Sequence, residues 1–220
     1  MAKRLPIKAV IFDLGGVLID LHAEAAKREL IRDFGLPSQR FARLTRSSFE
    51  SDPRSITEMA MIGKAGTSDY LDAFLGNCSV KDLSGLRANR LSVVGKERPD
   101  VFAIVARLKQ AGLICCVMSN TIALHWEKLG STGEYPSLGI FHHVFASHLM
   151  ECAKPEEASF SFVATALNLR MSECLLVDDT RLNVRRAKQV GWRALLFRDA
   201  ARLDRDIVRL LPAENPRAGR

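Results

Sequence analysis

Four short polar clusters, each set at the end of an apolar run or beside a helix start, carry the groups able to do chemistry: Asp13, Ser119-Asn120-Thr121, Lys154 and Asp178-Asp179. Asp13 closes the run from Ile7 to Phe12, in which Lys8 is the one charge, and Leu14, Gly15 and Gly16 follow it. The two glycines allow a tight turn and close approach of the backbone to a ligand. Taken alone, Asp13 reads equally well as a turn residue after a strand. Taken together, the clusters say more. Carboxylates brought close without a cation repel and raise one another's pKa, so convergence of Asp13, Asp178 and Asp179 predicts a bound metal. All-oxygen ligands, with no His or Cys at suitable spacing, point to a hard cation, Mg²⁺ first. Beside Lys154 and the Ser119 hydroxyl, such an ion makes a site for a dianionic phosphate. The matching reaction is phosphoryl transfer, which runs on positioning and charge neutralisation. Asp13 is then the nucleophile, forming an aspartyl-phosphate that splits one hard step into two easier ones.

The elements that must position these groups alternate. Ile7 to Phe12, Leu113 to Met118, Val144 to Ala146, Cys174 to Val177 and Ala194 to Phe197 read as buried strands. Helices are expected from Pro99 to Gly112, Ile122 to Leu129, Pro155 to Leu167, Thr180 to Gly191 and Ala200 to Leu211, with Pro at the first helical turn and Gly at the ends. Strand-helix alternation with short connections means right-handed crossovers and a parallel sheet covered on both faces. The expected class is therefore α/β, Rossmann-like, with Asp13, Ser119 and Asp178-Asp179 at the carboxyl edge of the sheet, where ligands bind, and Lys154 delivered to the same rim. Between Leu21 and about Gly95 the pattern is helical throughout, with no strand-like alternation: Leu21 to Phe34, Pro37 towards Phe49, Ile56 to Ile62, Thr67 to Leu75, and a piece from Ser79 in which Asp82 suits a capping box. The expected division is residues 1–20 and 96–220 as the α/β unit and 21–95 as a helical block.

Composition sets the frame for this. With 220 residues, 47% hydrophobic and 26% charged, the chain can bury a sizeable core, and no apolar run approaches the roughly 20 residues of a membrane span. No secretory leader is read at the N-terminus, because Pro6, Lys8 and Asp13 interrupt the apolar segment. Five scattered cysteines give neither a disulfide framework nor metal spacing, so a cytoplasmic setting is expected. The +7 net charge is spread along the chain rather than clustered with aromatics, which favours small anionic partners over nucleic acid. A monomer or homodimer acting on a small phosphorylated metabolite, with no membrane partner, is the expectation. His142, His143 and His148 lack an acidic partner in sequence and read as structural. Trp126 and Tyr135 are open to lining the pocket or to surface or packing roles, and Cys115 and Cys116 read as packing.

The ordered set Phe12-Asp13-Leu14-Gly15-Gly16-Val17-Leu18, Ser119-Asn120-Thr121, Lys154-Pro155 and Val177-Asp178-Asp179 resembles the haloacid dehalogenase (HAD) superfamily over nearly the whole span from Ile7 to Phe197. The helical block looks like the family's C1-type cap, which closes over the site and selects substrates. Within the superfamily the motifs are similar to a bacterial branch of sugar phosphatases, including glucose-1-phosphate phosphatases. The resemblance implies Asp13 as nucleophile and metal ligand, Ser119 as phosphoryl contact and Lys154 as charge stabiliser. Substrate contacts are then expected from Ser119, Asn120, Gly15, Gly16 and Lys154, and Mg²⁺ contacts from Asp13, the Gly15 carbonyl, Asp178 and Asp179.

One position departs from the family pattern. Most of its phosphatases carry a second Asp, the general acid and base, where this chain has Gly15. Losing such a group costs about 10²- to 10⁴-fold. A phosphate on an anomeric carbon tolerates that loss best, and Asp20 or His22 is a candidate substitute from the flap. The favoured reading is a Mg²⁺-dependent phosphatase. A catalytically weak phosphometabolite-binding or regulatory protein is the alternative that Gly15 keeps open, and a metal-free haloacid dehalogenase has no use for Asp178 and Asp179.

Overall fold

The computed structural model describes residues 6–50, 52–131 and 133–211. In chain order the elements are β1 (Ala9–Phe12), β2 (Ile19–Leu21), α1 (Ala23–Asp33), α2 (Ser38–Thr45), α3 (Ile56–Met61), α4 (Thr67–Asn77), α5 (Leu83–Leu91), β3 (Val94–Glu97), α6 (Pro99–Gln110), β4 (Ile114–Ser119), α7 (Ala123–Ser131), β5 (His143–Ala146), α8 (Ser147–Met150), α9 (Glu157–Ala166), β6 (Cys174–Asp178), α10 (Arg181–Gln189), β7 (Arg193–Leu196) and α11 (Ala200–Leu210).

Five strands form one parallel sheet in the order β5-β4-β1-β6-β7, with Phe12 level with Val117 on one side and Val177 on the other. Every residue of β1 is buried, as a central strand flanked by two helical layers requires. Because side chains alternate along a strand, Val10, Phe12, Cys115 and Val117 feed one core cluster and Ala9, Ile11, Cys116 and Met118 the other. The adjacent cysteines thus face opposite layers, and all five cysteines are free thiols.

Helices α1 to α5 enclose a third cluster, including Leu30, Leu36, Tyr70, Phe74 and Leu86, which Ile122 and Leu124 join from the main body. Arg87–Glu127 and Lys64–Glu151 ion pairs cross the same junction, and exposed pairs of this kind add little stability.

Several expectations are corrected. The stretch from Leu21 to Gly95 is not helical throughout: β2 and β3 pair as an antiparallel ribbon at its two ends. Three and four residues are too few to show alternation, and Gly95 hides the second strand in sequence. A Cβ at Gly95 would lie 2.7 Å from the Asp20 carbonyl, so the ribbon needs glycine there. The helix expected from Pro155 begins at Glu157, after a turn in which Glu156 N–H donates to the Ala153 carbonyl. Asp82 sits at the N-cap of α5, accepting from Gly85 N–H, rather than inside a helix begun at Ser79. Thr180 precedes α10 without a side-chain cap, because its hydroxyl donates to Asp179. A 3-10 turn spans Pro136–Ile140, between α7 and β5. Among the described residues no helix is long and apolar enough to cross a membrane.

Candidate active site

Parallel pairing brings three strand ends to one edge. Asp13 follows β1, and its N–H donates to the Val177 carbonyl of β6. Ser119 ends β4 and Asp178 ends β6, with Asp179 next in the chain. Lys154 reaches them from the loop before α9. Its ammonium is 1% exposed and lies 2.9 Å from Asp13 Oδ1, 2.8 Å from the Met118 carbonyl and 2.7 Å from Asp178 Oδ2. Three oxygens thus satisfy its three donors. Burial by itself would lower the Lys154 pKa, but the Asp13 and Asp178 carboxylates together raise it, so the amine stays charged.

Asp13 Oδ1 also accepts the Leu14 N–H at 2.8 Å, whereas its Oδ2 accepts no hydrogen bond among the described residues. Burial pushes the Asp13 carboxyl from 3.8 to about 7; Lys154 opposes the rise and Asp178 and Asp179 add to it. Asp179 is raised as well, by burial and then by Asp178. Three carboxylates against one ammonium leave an excess of negative charge. Among the described residues, Asp13, Asp178 and Asp179 are the group whose ligand atoms lie close enough to share an ion, within 4.8 Å of one another. The donors are all carboxylate oxygens, which suits a hard divalent cation.

Asp13, Gly15, Ser119, Asn120, Lys154 and Asp179 line one cavity of about 360 Å³. Asp178 is fully buried behind them, with both oxygens engaged: Oδ1 by Thr180 N–H at 2.8 Å and by Asn183, Oδ2 by Lys154 and Asn183. Two expected substrate contacts have other partners. The Asn120 amide donates to the Lys154 carbonyl at 2.6 Å and accepts the Lys154 N–H at 2.9 Å, clamping the lysine's backbone. The Gly16 N–H goes to the Ile19 carbonyl at 2.8 Å. Gly16 has φ +80°, and a Cβ there would sit 2.1 Å from Asp179 Oδ2, so this glycine makes room for a carboxylate.

Neither candidate substitute for the general acid lines the cavity. Asp20 Oδ1 is held at 2.6 Å by Arg98, which also donates to the Gly16 carbonyl, and His22 precedes α1 against Gly95. Instead Leu21 lies over Gly15, its Cδ1 2.8 Å from where a Cβ would be. The three histidines do not converge: Cys115 N–H donates to His142 Nδ1, His143 is exposed on β5, and His148 packs on Trp126. Tyr135 is buried, its hydroxyl donating to the Gly95 carbonyl.

The sequence reading missed two residues at this cavity. Asn183 is a buried polar residue one turn into α10, a position its neighbours Val184 and Ala187 already mark as inward-facing. His125 lines the cavity from α7; a carbonyl only accepts, so its Nε2 donates to Arg90 and Nδ1 carries the lone pair. Burial pushes its pKa down to about 4, and the ring is neutral.

The family model of the haloacid dehalogenase-like hydrolases matches residues 7–191. The chain belongs to this family. A sesquiterpene phosphatase of Aspergillus oryzae is 25% identical over 197 residues, covering 88% of this chain and 91% of its own. A HAD family enzyme of Bacteroides thetaiotaomicron, crystallised with magnesium and inorganic phosphate, shares 20% identity at a TM-score of 0.74, over 90% of this chain and 98% of its own. An L-2-haloacid dehalogenase of Xanthobacter autotrophicus with covalently bound chloropropionic acid shares 22% at 0.59, over 94% and 85%. These structural likenesses carry the HAD fold, which hosts more than one chemistry, so the reaction is argued from the site.

Proposed function

We propose that this HAD-like hydrolase is a Mg²⁺-dependent phosphatase of small phosphomonoesters, working through an aspartyl-phosphate on Asp13. The observation that carries the reading is the state of Asp13: one oxygen is pinned by Leu14 N–H and Lys154, and the other accepts no hydrogen bond among the described residues, in a residue that lines the cavity beside Asp179. Asp13 Oδ2 attacks phosphorus, the bond to the leaving oxygen breaks, and that oxygen takes a proton from water. A second water then cleaves the acyl phosphate, returning Asp13 and releasing phosphate. Lys154 neutralises charge shared between Asp13 and the phosphoryl oxygens, and the Ser119 hydroxyl offers them a hydrogen bond. Asp13, Asp178 and Asp179, with the Gly15 carbonyl, would hold Mg²⁺, and Asp178 also orients Lys154. The ion supplies charge neutralisation and alignment of the phosphate. Residues 21–95 act as a cap, contributing Leu21, Ser47, Met61, Val93 and Val94 to the cavity wall.

The 25% identical sesquiterpene phosphatase and the neighbour crystallised with magnesium and phosphate support this reading. Sugar phosphates are a second reading of the substrate, favoured by Gly15: no side chain there protonates the leaving oxygen, and an anomeric oxygen leaves with least help. The test is phosphate release from a panel of esters with Mg²⁺ or chelator, joined to rapid acid quench and mass analysis of the Asp13 peptide. Mg²⁺-dependent release with a phosphoryl adduct on Asp13 is expected. A folded, Mg²⁺-binding protein that releases nothing and carries no adduct is instead a binding or regulatory protein.

A further inference from the structure

Apolar side chains make much of the cavity wall beyond the carboxylates. Among them are Ile19, Leu21, Met61, Val93, Val94 and Leu129, drawn from the β2–β3 ribbon, α3, the turn after α5 and α7. Among the described residues, no Lys, Arg, Asp or Glu lines the cavity apart from Asp13, Lys154 and Asp179. The polar side chains nearby are mostly committed: Asn120 to the Lys154 backbone, Asn183 to Asp178, Thr180 to Asp179. Beyond Ser119, assigned above to the phosphoryl group, the Ser47 and Thr121 hydroxyls, Asn183 Oδ1 and Nδ1 of a neutral His125 are left. Leu21 is 49% exposed, so the ribbon presents open apolar surface directly over Gly15.

We propose that this chamber receives a hydrocarbon group, so that the substrate is a phosphomonoester of an apolar alcohol; the inference rests on the phosphatase reading above. A sugar would bring several hydroxyls to a wall that is largely apolar, and each unpaired one loses its water without replacement. A nucleotide base or a second phosphate would find no charged group to receive it. A hydrocarbon meets side chains that gain from covering it, at about fourfold per buried methylene.

The test compares kcat/KM for methyl, butyl and hexyl phosphate with that for glucose 1-phosphate, glucose 6-phosphate and AMP, all with Mg²⁺. A rise of about fourfold per methylene until the chamber is full, with the sugar and nucleotide esters below hexyl phosphate, upholds the proposal. Val93→Asn and Met61→Gln should flatten that slope. Equal or faster release from the sugar esters overturns it and leaves the phosphatase reading standing. If no ester is hydrolysed, the phosphatase reading fails, and binding of alkylphosphonates by calorimetry decides the chamber separately: affinity rising with chain length upholds the hydrocarbon ligand, and a flat series overturns it.

Discussion

Each half of the molecule buries one cation, and the two are held in opposite ways. Lys154, at the sheet edge, has two carboxylates and a carbonyl within 2.9 Å. Arg90, in α5, is 3% exposed and has no carboxylate within ion-pair distance among the described residues; its guanidinium lies 5.3 Å from the centre of the Phe74 ring, beside Tyr70, and its Nε lacks a hydrogen-bond partner. Burying a charge is costly either way. The sheet edge meets that cost with opposite charge, which also gathers the groups a metal and a phosphate need. The helical insert meets it with a ring face and a hydroxyl, so its buried positive charge has no carboxylate counter-ion among the described residues, while the insert gives the cavity mainly apolar side chains. Charge in this molecule is concentrated where bonds to phosphorus would be made and kept away from where the rest of the substrate would sit.

The largest expected effect lies at the charged end. Asp13→Asn should lower phosphate release at least about 10⁴-fold, read as initial rates with Mg²⁺, because the attacking atom is gone. Next is Lys154→Met. It strands Asp13 and Asp178 without their cation, and denaturant unfolding should show a loss of about 3–5 kcal/mol. A smaller loss would mean that water already screens the pair. The adjacent glycines separate by what stands over them. Gly16→Ala drives a Cβ into Asp179 at a positive φ, whereas Gly15→Ala meets only the movable tip of Leu21. Activity should fall about 10²-fold in the first, through a displaced carboxylate, and by far less in the second.

These contrasts track what the sequence made legible. The sheet edge could be read because each strand is a run of apolar residues ending in a polar one: Phe12 to Asp13, Met118 to Ser119, Val177 to Asp178. Strand-helix alternation then requires a parallel sheet with those ends on one edge, though not its strand order. The helical insert was legible only as a block, since its Leu and aromatic spacings fix helices but not which residue faces the cavity. The ribbon of β2 and β3 escaped because three residues show no period and Gly95 breaks the strand pattern. The clamp that Asn120 makes was not legible, because only geometry shows its amide oxygen and one of its N–H groups on the Lys154 backbone. The placement of Asp20 was hidden for a similar reason: Arg98, 78 residues away in the chain, holds it at 2.6 Å and away from the cavity wall.

The insert provides the smaller half of the comparison. Arg90→Met removes a charge without stranding a partner carboxylate, so it forfeits the ring contact and the contact with Tyr70 and relieves a desolvated ion. A net cost of about 1–2 kcal/mol in the same unfolding experiment is expected. A cost equal to that of Lys154→Met would show that the two cations are not held differently after all.

The finest test is of protons rather than stability. In the metal-free protein, between pH 3.8 and about 7, folded Asp13 keeps a proton that the unfolded chain has lost. Its contribution to stability is therefore complete below pH 3.8 and disappears as the pH rises through about 7. Mg²⁺ needs the ionised carboxylate, so binding at about pH 6 should expel a proton and binding at about pH 8 should expel almost none. Calorimetry in two buffers of different ionisation enthalpy reads that difference directly, and Asp13→Asn should abolish it. The apolar end adds no proton of its own over this range, because burial pushes His125 down to about 4 and keeps it neutral at both pH values. Equal proton release at the two pH values would mean that Asp13 is already ionised against Lys154 before the metal arrives, making the ammonium rather than the ion the dominant partner of the nucleophile.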